Sequence, residues 1–310
     1  MGAFSSMFIK VNADIPSRLD RYLKRQYPAL TQGVIERAIR LKQILVNSNL
    51  AKASLRVIEN DQVFIDDKLS LVPKSEKEEF FPPSVVKLAE KIIKDYLIYD
   101  HEQFVAINKP ASLATQGGSK IKLSIDDALN YLNYKSAMDF KLVHRLDKET
   151  SGLLLIAKNY LSSTKLAAAF HDKIIRKTYF AITLGRPYEE TGEISGLIGK
   201  NRGGTYEIVQ ADQENGKLAI TRYKLLEPLS NGLYLIEFIP LTGRTHQLRF
   251  HAKMLGCPII GDTKYGNPQS ILRSKQMLLH AKNVIMPATI FGREIIIKTD
   301  LPEYFSKYIS

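Results

Sequence analysis

The chain has 310 residues, 45% of them hydrophobic, and carries 44 Lys and Arg against 32 Asp and Glu, for a formal charge of +12. That excess points to a polyanionic partner, nucleic acid before an anionic membrane surface, and no apolar run approaches the roughly 20 residues of a membrane span. Cys257 is the single cysteine, which excludes an intramolecular disulfide and a multi-cysteine zinc cage and fits a reducing, cytoplasmic setting.

The opening MGAFSS matches the short pattern for acylation at Gly2. The MFIKVN that follows alternates as an edge strand does, so residues 1–14 are assigned to a leader strand. No secretory signal is expected there, because the apolar region is short and broken by Lys10. Ser17 is a good N-cap for a helix over 18–26, closed by Pro28, with Leu19, Tyr22 and Leu23 inward and Arg18, Arg21, Lys24 and Arg25 around the exposed side. Thr31 caps a second helix through Leu41, with Val34, Ile35, Ala38 and Ile39 apolar and Arg37, Arg40 and Lys42 basic. Strands follow at 44–47 and 62–66, the first ending in the turn residues Asn47, Ser48 and Asn49.

Residues 67–85 mix charge runs with prolines and read as a linker. A helix is expected over 85–94, and then two strands around an Asp-His turn within 96–118. Leu142 and Val143 enter a polar segment holding His144, Arg145 and Asp147, after which Leu153 to Ile156 run without alternation. That pattern reads as strand, turn and a strand buried on both faces. A helix over 159–172 turns Leu161, Leu166 and Ala169 inward, and an alternating strand occupies 176–185. Residues 199–216 are polar and Gly-rich and read as an exposed excursion. A strand at 234–239 leads through Thr242 and Gly243 into a helix over 245–255, closed by Gly256 and Pro258. Two strands, at 277–287 and 294–299, and a short helix opened by Asp300 and Pro302 complete the chain.

Several chemistries lack their signatures. GKNRGGT does not have the order of a phosphate-binding loop, no Gly-x-Gly-x-x-Gly follows a strand, and Gly-x-Ser-x-Gly is absent. His246 and His251 lie five apart, which does not stack them on one helical face for zinc, and no metal is expected.

HRLDKETSGLLLIAK, residues 144–158, resembles the central signature of the RluA family of RNA pseudouridine synthases. The Asn-Lys-Pro at 108–110 with its Gly-rich continuation, the Lys-x-Tyr at 177–179 and TGRTHQLRFHAK at 242–253 resemble the same family. Within the first of these, Ala111, Ser112 and Gln116 depart from the common residues. RLDRYL and the Val-Asn ending of the first strand resemble the RNA-binding module named after ribosomal protein S-four, although Lys42 stands where its relatives place a Gly. The resemblance implies an α+β fold, with a mixed, largely antiparallel central sheet and flanking helices in a catalytic domain at 86–310. It also implies a small S-four-like domain at 15–66.

The activity so implied is the isomerisation of uridine to pseudouridine in RNA, most specifically large-subunit ribosomal RNA, by a cytoplasmic monomer needing no cofactor. Asp147 would be the catalytic carboxylate and Arg244 the cation that keeps it charged. Tyr179 would cover the flipped uracil and serve as a base, Leu248 would form the opposite wall, and Arg145 would fill the vacated stack. Arg18, Arg21, Lys24, Arg25, Arg37, Arg40 and Lys42 would contact RNA through its phosphates. A binding-only scaffold explains the charge equally well, but it has no need of Asp147, Arg244 and Tyr179 together.

Overall fold

The structure, a computed structural model, describes residues 7–11, 16–27, 30–66, 69, 80–118, 121–136, 138–200, 209–212 and 214–309. The chain divides into two compact units, residues 1–80 and 81–310.

In the first unit, β1 (Met7–Lys10) leads to β2 (Ser17–Arg18), α1 (Leu19–Gln26) and α2 (Gln32–Arg40). They are followed by β3 (Ile44–Val46), β4 (Asn49–Leu50), β5 (Arg56–Val57) and β6 (Gln62–Ile65). The expected leader is therefore no separate element: β1 forms the edge of a sheet ordered β1-β6-β3-β4, while β2 pairs with β5. Because Ser17 is held in that pairing, α1 begins at Leu19 with Arg18 as its N-cap residue. Leu19, Tyr22 and Leu23 are buried as expected, and Thr31 caps α2 by accepting from the Val34 amide at 3.4 Å. Val34 itself is exposed.

The one buried carboxylate of α1, Asp20, accepts from Arg18 Nη2 at 2.6 Å and Gln32 Nε2 at 3.2 Å, which ties α1 to α2. The Arg18 hydrogen bond holds its pKa below the ordinary range against the effect of burial. Lys42 has φ of 60°, the left-handed conformation that makes a Gly the usual residue there. Asn47 and Ser48, also left-handed, form the two-residue turn between β3 and β4 that matches strand twist.

Residues 67–68 and 70–79 of the expected linker lie outside the described residues. The second unit begins at Phe81, ahead of the expected boundary, and the Phe81 ring packs edge-on against Tyr131 at 5.2 Å. α3 (Pro83–Lys91) passes through a π-helical turn (Ile92–Tyr96) into the hairpin β7 (Leu97–Asp100) and β8 (Phe104–Lys109). Then come α4 (Ile125–Lys135), β9 (Lys141–Leu142), β10 (Ser151–Ala157) and α5 (Tyr160–His171). The long strands are β11 (Arg176–Leu184), β12 (Thr191–Lys200), β13 (Val209–Ala211), β14 (Lys217–Pro228) and β15 (Leu233–Pro240). The chain ends with α6 (Gln247–Met254), α7 (Pro268–Leu272), β16 (Leu279–Met286), α8 (Ala288–Phe291), β17 (Ile295–Lys298) and α9 (Glu303–Ser306).

These strands form one sheet, ordered β13-β12-β14-β15-β11-β16-β10-β8-β7, with β17 on β16 and β9 on β10. Its pairings are antiparallel except β10 with β16. Every residue of β10 is buried, as its unbroken apolar run requires. The polar 199–216 stretch is not simply an excursion: β12 extends through its start, β13 pairs back on it, and Val209 is buried. Residues 201–208 lie outside the described residues. α5 packs through Ser162, Leu166 and Ala169, leaving Leu161 76% exposed, opposite to its expected placement.

One position in this sheet determines where chemistry can occur. Gly152 of β10 and Tyr179 of β11 are both in register with Ala281 of β16, so the loop before β10 and the face of Tyr179 converge on one strand. The approach is close. Gly152 has φ of +107°, and a Cβ there would lie 2.4 Å from the Ala281 carbonyl oxygen, so no other residue fits.

Candidate active site

Asp147 lies on the loop of residues 143–150 between β9 and β10, and three side chains and one backbone hydrogen bond fix that loop. His144 Nε2 accepts the Leu155 amide at 2.8 Å. Burial, with the nearby Lys177 charge, lowers its pKa to about 3, so the ring is neutral and the accepting nitrogen stays free of a proton. Thr115 Oγ1 donates to the Leu146 carbonyl at 2.7 Å and accepts the Leu146 amide at 3.2 Å. Thr150 closes the turn by donating its amide to the Asp147 carbonyl at 3.1 Å. Lys109, from the Asn-Lys-Pro segment, is fully buried and donates to the carbonyls of Pro110 (2.9 Å), Leu113 (2.8 Å) and Lys148 (3.3 Å). Burial lowers its pKa to about 7 despite the charges of Asp147 and Glu149. The carboxylate is thus carried on a loop whose backbone has no slack.

The opposing wall comes from the segment 240–254. Gln247 locks its turn: Oε1 accepts from Thr242 Oγ1 at 2.7 Å and from the Arg244 amide at 3.0 Å, while Nε2 donates to the Ile220 carbonyl and Thr221 Oγ1, each at 2.9 Å. His246, left-handed at φ of 52°, precedes the first turn of α6 and turns Arg249 toward the interior. Arg249 is 1% exposed and forms a two-pronged pair with Asp262, Nε to Oδ2 at 2.8 Å and Nη2 to Oδ1 at 2.7 Å. Its remaining nitrogen, Nη1, lies 3.7 Å from Asp147 Oδ2 and 3.5 Å from Glu149 Oε2.

This geometry reassigns one expectation. Arg244, expected beside Asp147, reaches instead toward β14, where its Nε donates to the Leu218 carbonyl at 3.0 Å. It lines the pocket from an exposed position, and the cation against Asp147 is Arg249. Arg145 is exposed, and its charge acts on Asp147.

Asp147, Tyr179, Leu248 and Arg244 line one cavity of about 450 Å³ including its open mouth. Burial raises the Asp147 pKa above the ordinary carboxylate range; Arg249, Arg145 and Lys264 oppose that rise. Burial and the Asp147 charge push the Tyr179 phenol above its ordinary range. On Arg249, burial is outweighed by the hydrogen bonds and charge of Asp262, and the guanidinium stays cationic.

His246 and His251 serve other ends. His246 Nδ1 lies 2.9 Å from the Tyr265 hydroxyl, and His251 Nδ1 lies 2.9 Å from Thr221 Oγ1. Among the described residues no cluster of three His, Cys, Asp or Glu side chains suits a metal, and no helix is long and apolar enough to cross a membrane. The seven basic residues expected to contact RNA, Arg18, Arg21, Lys24, Arg25, Arg37, Arg40 and Lys42, are all exposed.

Comparison with known proteins agrees with this architecture. A family model for RNA pseudouridylate synthases matches residues 103–254, and one for the S4 domain matches residues 17–63. The ribosomal large subunit pseudouridine synthase C of Rickettsia felis is 61% identical over 300 residues, covering 97% of this chain and 98% of its own. The protein of the same description from Vibrio parahaemolyticus is 33% identical, covering 89% and 87%. Among solved structures, human RNA pseudouridylate synthase domain containing 4 superposes with a TM-score of 0.61 at 26% identity, over 73% of this chain and 95% of that one. Human RNA pseudouridylate synthase domain containing 1 gives 0.57 at 29% identity, over 72% and 87%. With a relative this similar over nearly its full length, and with its signature segments gathered around one pocket, the chain belongs to the RluA family of RNA pseudouridine synthases, which isomerise uridine within RNA.

Proposed function

We propose that this enzyme acts in the cytoplasm, as a monomer, on specific uridines of large-subunit ribosomal RNA, with Asp147 as the residue that attacks the nucleoside or takes a proton from its ribose. The description of the 61% identical relative supports the substrate. The observation that carries the residue roles is the chain of contacts from Asp262 through Arg249 to Asp147, opening into a pocket walled by Tyr179 and Leu248. A carboxylate acts as nucleophile or base only while ionised, and in a site that excludes water it needs a fixed cation beside it. Arg249 supplies that cation, and Asp262 keeps the guanidinium from turning away.

In this reading Tyr179 covers the extruded uracil, and Leu248 closes the other side. Arg145, on the loop that bears Asp147, occupies the space the base leaves, and Arg244 at the mouth meets the flanking backbone. The exposed basic residues of α1 and α2 hold the RNA by its phosphates without reading sequence. Targets in loops or bulges fit best, because their bases are already partly unstacked.

Mapping pseudouridine in ribosomal RNA from cells lacking the protein tests this directly. The map should lose one or a few large-subunit positions, which return when the wild-type gene is restored and stay absent with Asp147→Asn. A large-subunit map identical with and without the protein contradicts the substrate assignment.

A further inference from the structure

Apart from its charge on His144, Lys177 takes no part in the contacts that build the site. It lies on β11 two residues before Tyr179, and both side chains line the same cavity as Asp147. Its Nζ sits 5.6 Å from the centre of the Phe170 ring. Among the described residues it makes no hydrogen bond and no ion pair. The carboxylate across the cavity is matched already, since Asp147 faces Arg249 at 3.7 Å. A half-buried ammonium without an anion is unfavourable unless an anion arrives.

The reaction creates one in this cavity. The bond from uracil N1 to ribose C1′ breaks with its electron pair kept by the base, which becomes a uracil monoanion while Asp147 or the ribose satisfies C1′. C5 of the base then bonds to C1′, the proton on C5 leaves and N1 gains a proton, so the net change is an isomerisation. The charge of the anion is spread over its carbonyl oxygens. We propose that the Lys177 ammonium donates a hydrogen bond to a carbonyl oxygen of the departing uracil and stabilises the negative charge that develops there. A phosphate is the weaker choice of partner, because Lys177 is half-buried whereas Arg244 offers an exposed guanidinium group at the edge of the same cavity. A fixed charge aimed at a developing one, in a site poor in water, acts more strongly than it would in solution.

The inference rests on the pseudouridine synthase reading and on its ribosomal substrate. Its test uses the full chain and unmodified large-subunit ribosomal RNA carrying uridine tritiated at C5, under single-turnover conditions. Lys177→Met should slow label release about 100-fold, an effect of the size seen when one oriented donor is lost. RNA affinity should change less than about threefold, as expected when an interaction belongs to the transition state. Lys177→Arg, which keeps the charge, should recover rate to within about tenfold of wild type.

The charge of Lys177 acts on His144, and the titratable and charged groups that line the cavity with it are Asp147, Tyr179, Arg244, His246 and Arg249. Burial lowers the lysine's own pKa. The charged form is the active one, so wild-type rate falls as pH rises through that lowered value, and Lys177→Arg should lose this alkaline limb. Lys109 titrates alike in both proteins, so the difference between the two profiles reads Lys177 alone. Removing a half-desolvated charge should leave the melting temperature of Lys177→Met at or above wild type, which separates lost rate from lost fold.

A Lys177→Met rate within threefold of wild type overturns the proposal. So does a loss that falls on RNA affinity, which would mark a phosphate contact, and so does an alkaline limb unchanged in Lys177→Arg. A wild-type protein that releases no label from this RNA overturns the substrate reading and this assignment together; an active wild type matched by Lys177→Met overturns this assignment alone.

Discussion

Asp147→Asn is expected to reduce tritium release from C5-labelled uridine in RNA by more than about 10⁴-fold, a loss of over about 5 kcal/mol of transition-state stabilisation, and at the same time to raise the melting temperature. The two effects share one cause. Burial lifts the carboxyl pKa in the folded protein above its unfolded value, so the folded state binds that proton more tightly. Stability therefore falls as pH rises from the unfolded value through the folded one, and at neutral pH the charged carboxylate is a net burden on the fold. Asn has nearly the same shape and no charge, so it relieves the burden, by about 2–4 °C for each kcal/mol in a unit of this size. The gain should vanish as pH falls through the folded pKa, where Asp147 is itself neutral. Thermal melts of both proteins across that range check the sign. Equal melting temperatures at pH 7 would mean that Asp147 is not the strained group described.

Asp262→Ala should be the more damaging change to the fold. It leaves the Arg249 guanidinium, 1% exposed, without its two-pronged partner, and removing one half of a buried pair typically costs about 3–5 kcal/mol. Asp262 Oδ1 also accepts the amides of Lys264 at 2.9 Å and Tyr265 at 3.1 Å, so the turn after Gly261 loosens too. With Arg249 free to rotate, activity should fall about 100-fold beyond what lost folding explains, in line with the loss of one preorganised charge. Arg249→Met combined with Asp262→Leu removes both charges and should recover the part of the stability lost to the unpaired guanidinium, though not the two amide hydrogen bonds, without recovering the rate. Denaturant unfolding and single-turnover rates separate the two. Recovery of rate in the double variant would show that Arg249 supports Asp147 only through packing.

What the sequence made legible was what depends on local pattern. The unbroken apolar run of β10, the Thr31 cap and the Asn47-Ser48 turn each follow from residues adjacent in the chain. So does the hairpin of β7 and β8. The first-turn placement of Leu161 failed because its apolar character said nothing of which face α5 would turn inward. β12 and β13 were hidden by polar composition: their ordering comes from cross-strand pairing and from Tyr265, whose hydroxyl accepts the Val209 amide at 2.8 Å across 56 positions of chain.

The choice between Arg244 and Arg249 shows the same limit at the site. Both lie in one signature, five residues apart, and spacing alone does not say which turns inward. One signal was available: Arg249 follows Leu248 and lies three residues before Ala252 on α6, so helical spacing groups it with the buried face. Its partner Asp262, beyond the Gly256 and Pro258 that end the helix, could be found only in space. Lys109 and His144 were within quoted motifs, but their work of fixing the loop is done through backbone groups that no motif displays.

The central claim is that Asp147 must be charged to act and that Arg249 is the cation that keeps it so. Single-turnover rate against pH measures this most directly, in wild type and in the Arg249→Met and Asp262→Leu double variant. The wild-type rate should fall on the acid side through an apparent pKa above the ordinary aspartate range, and that limb should move further up in the double variant, where the nearest opposing charge is gone. An acid limb at or below the ordinary range, or one that does not move when Arg249 is removed, would contradict the account.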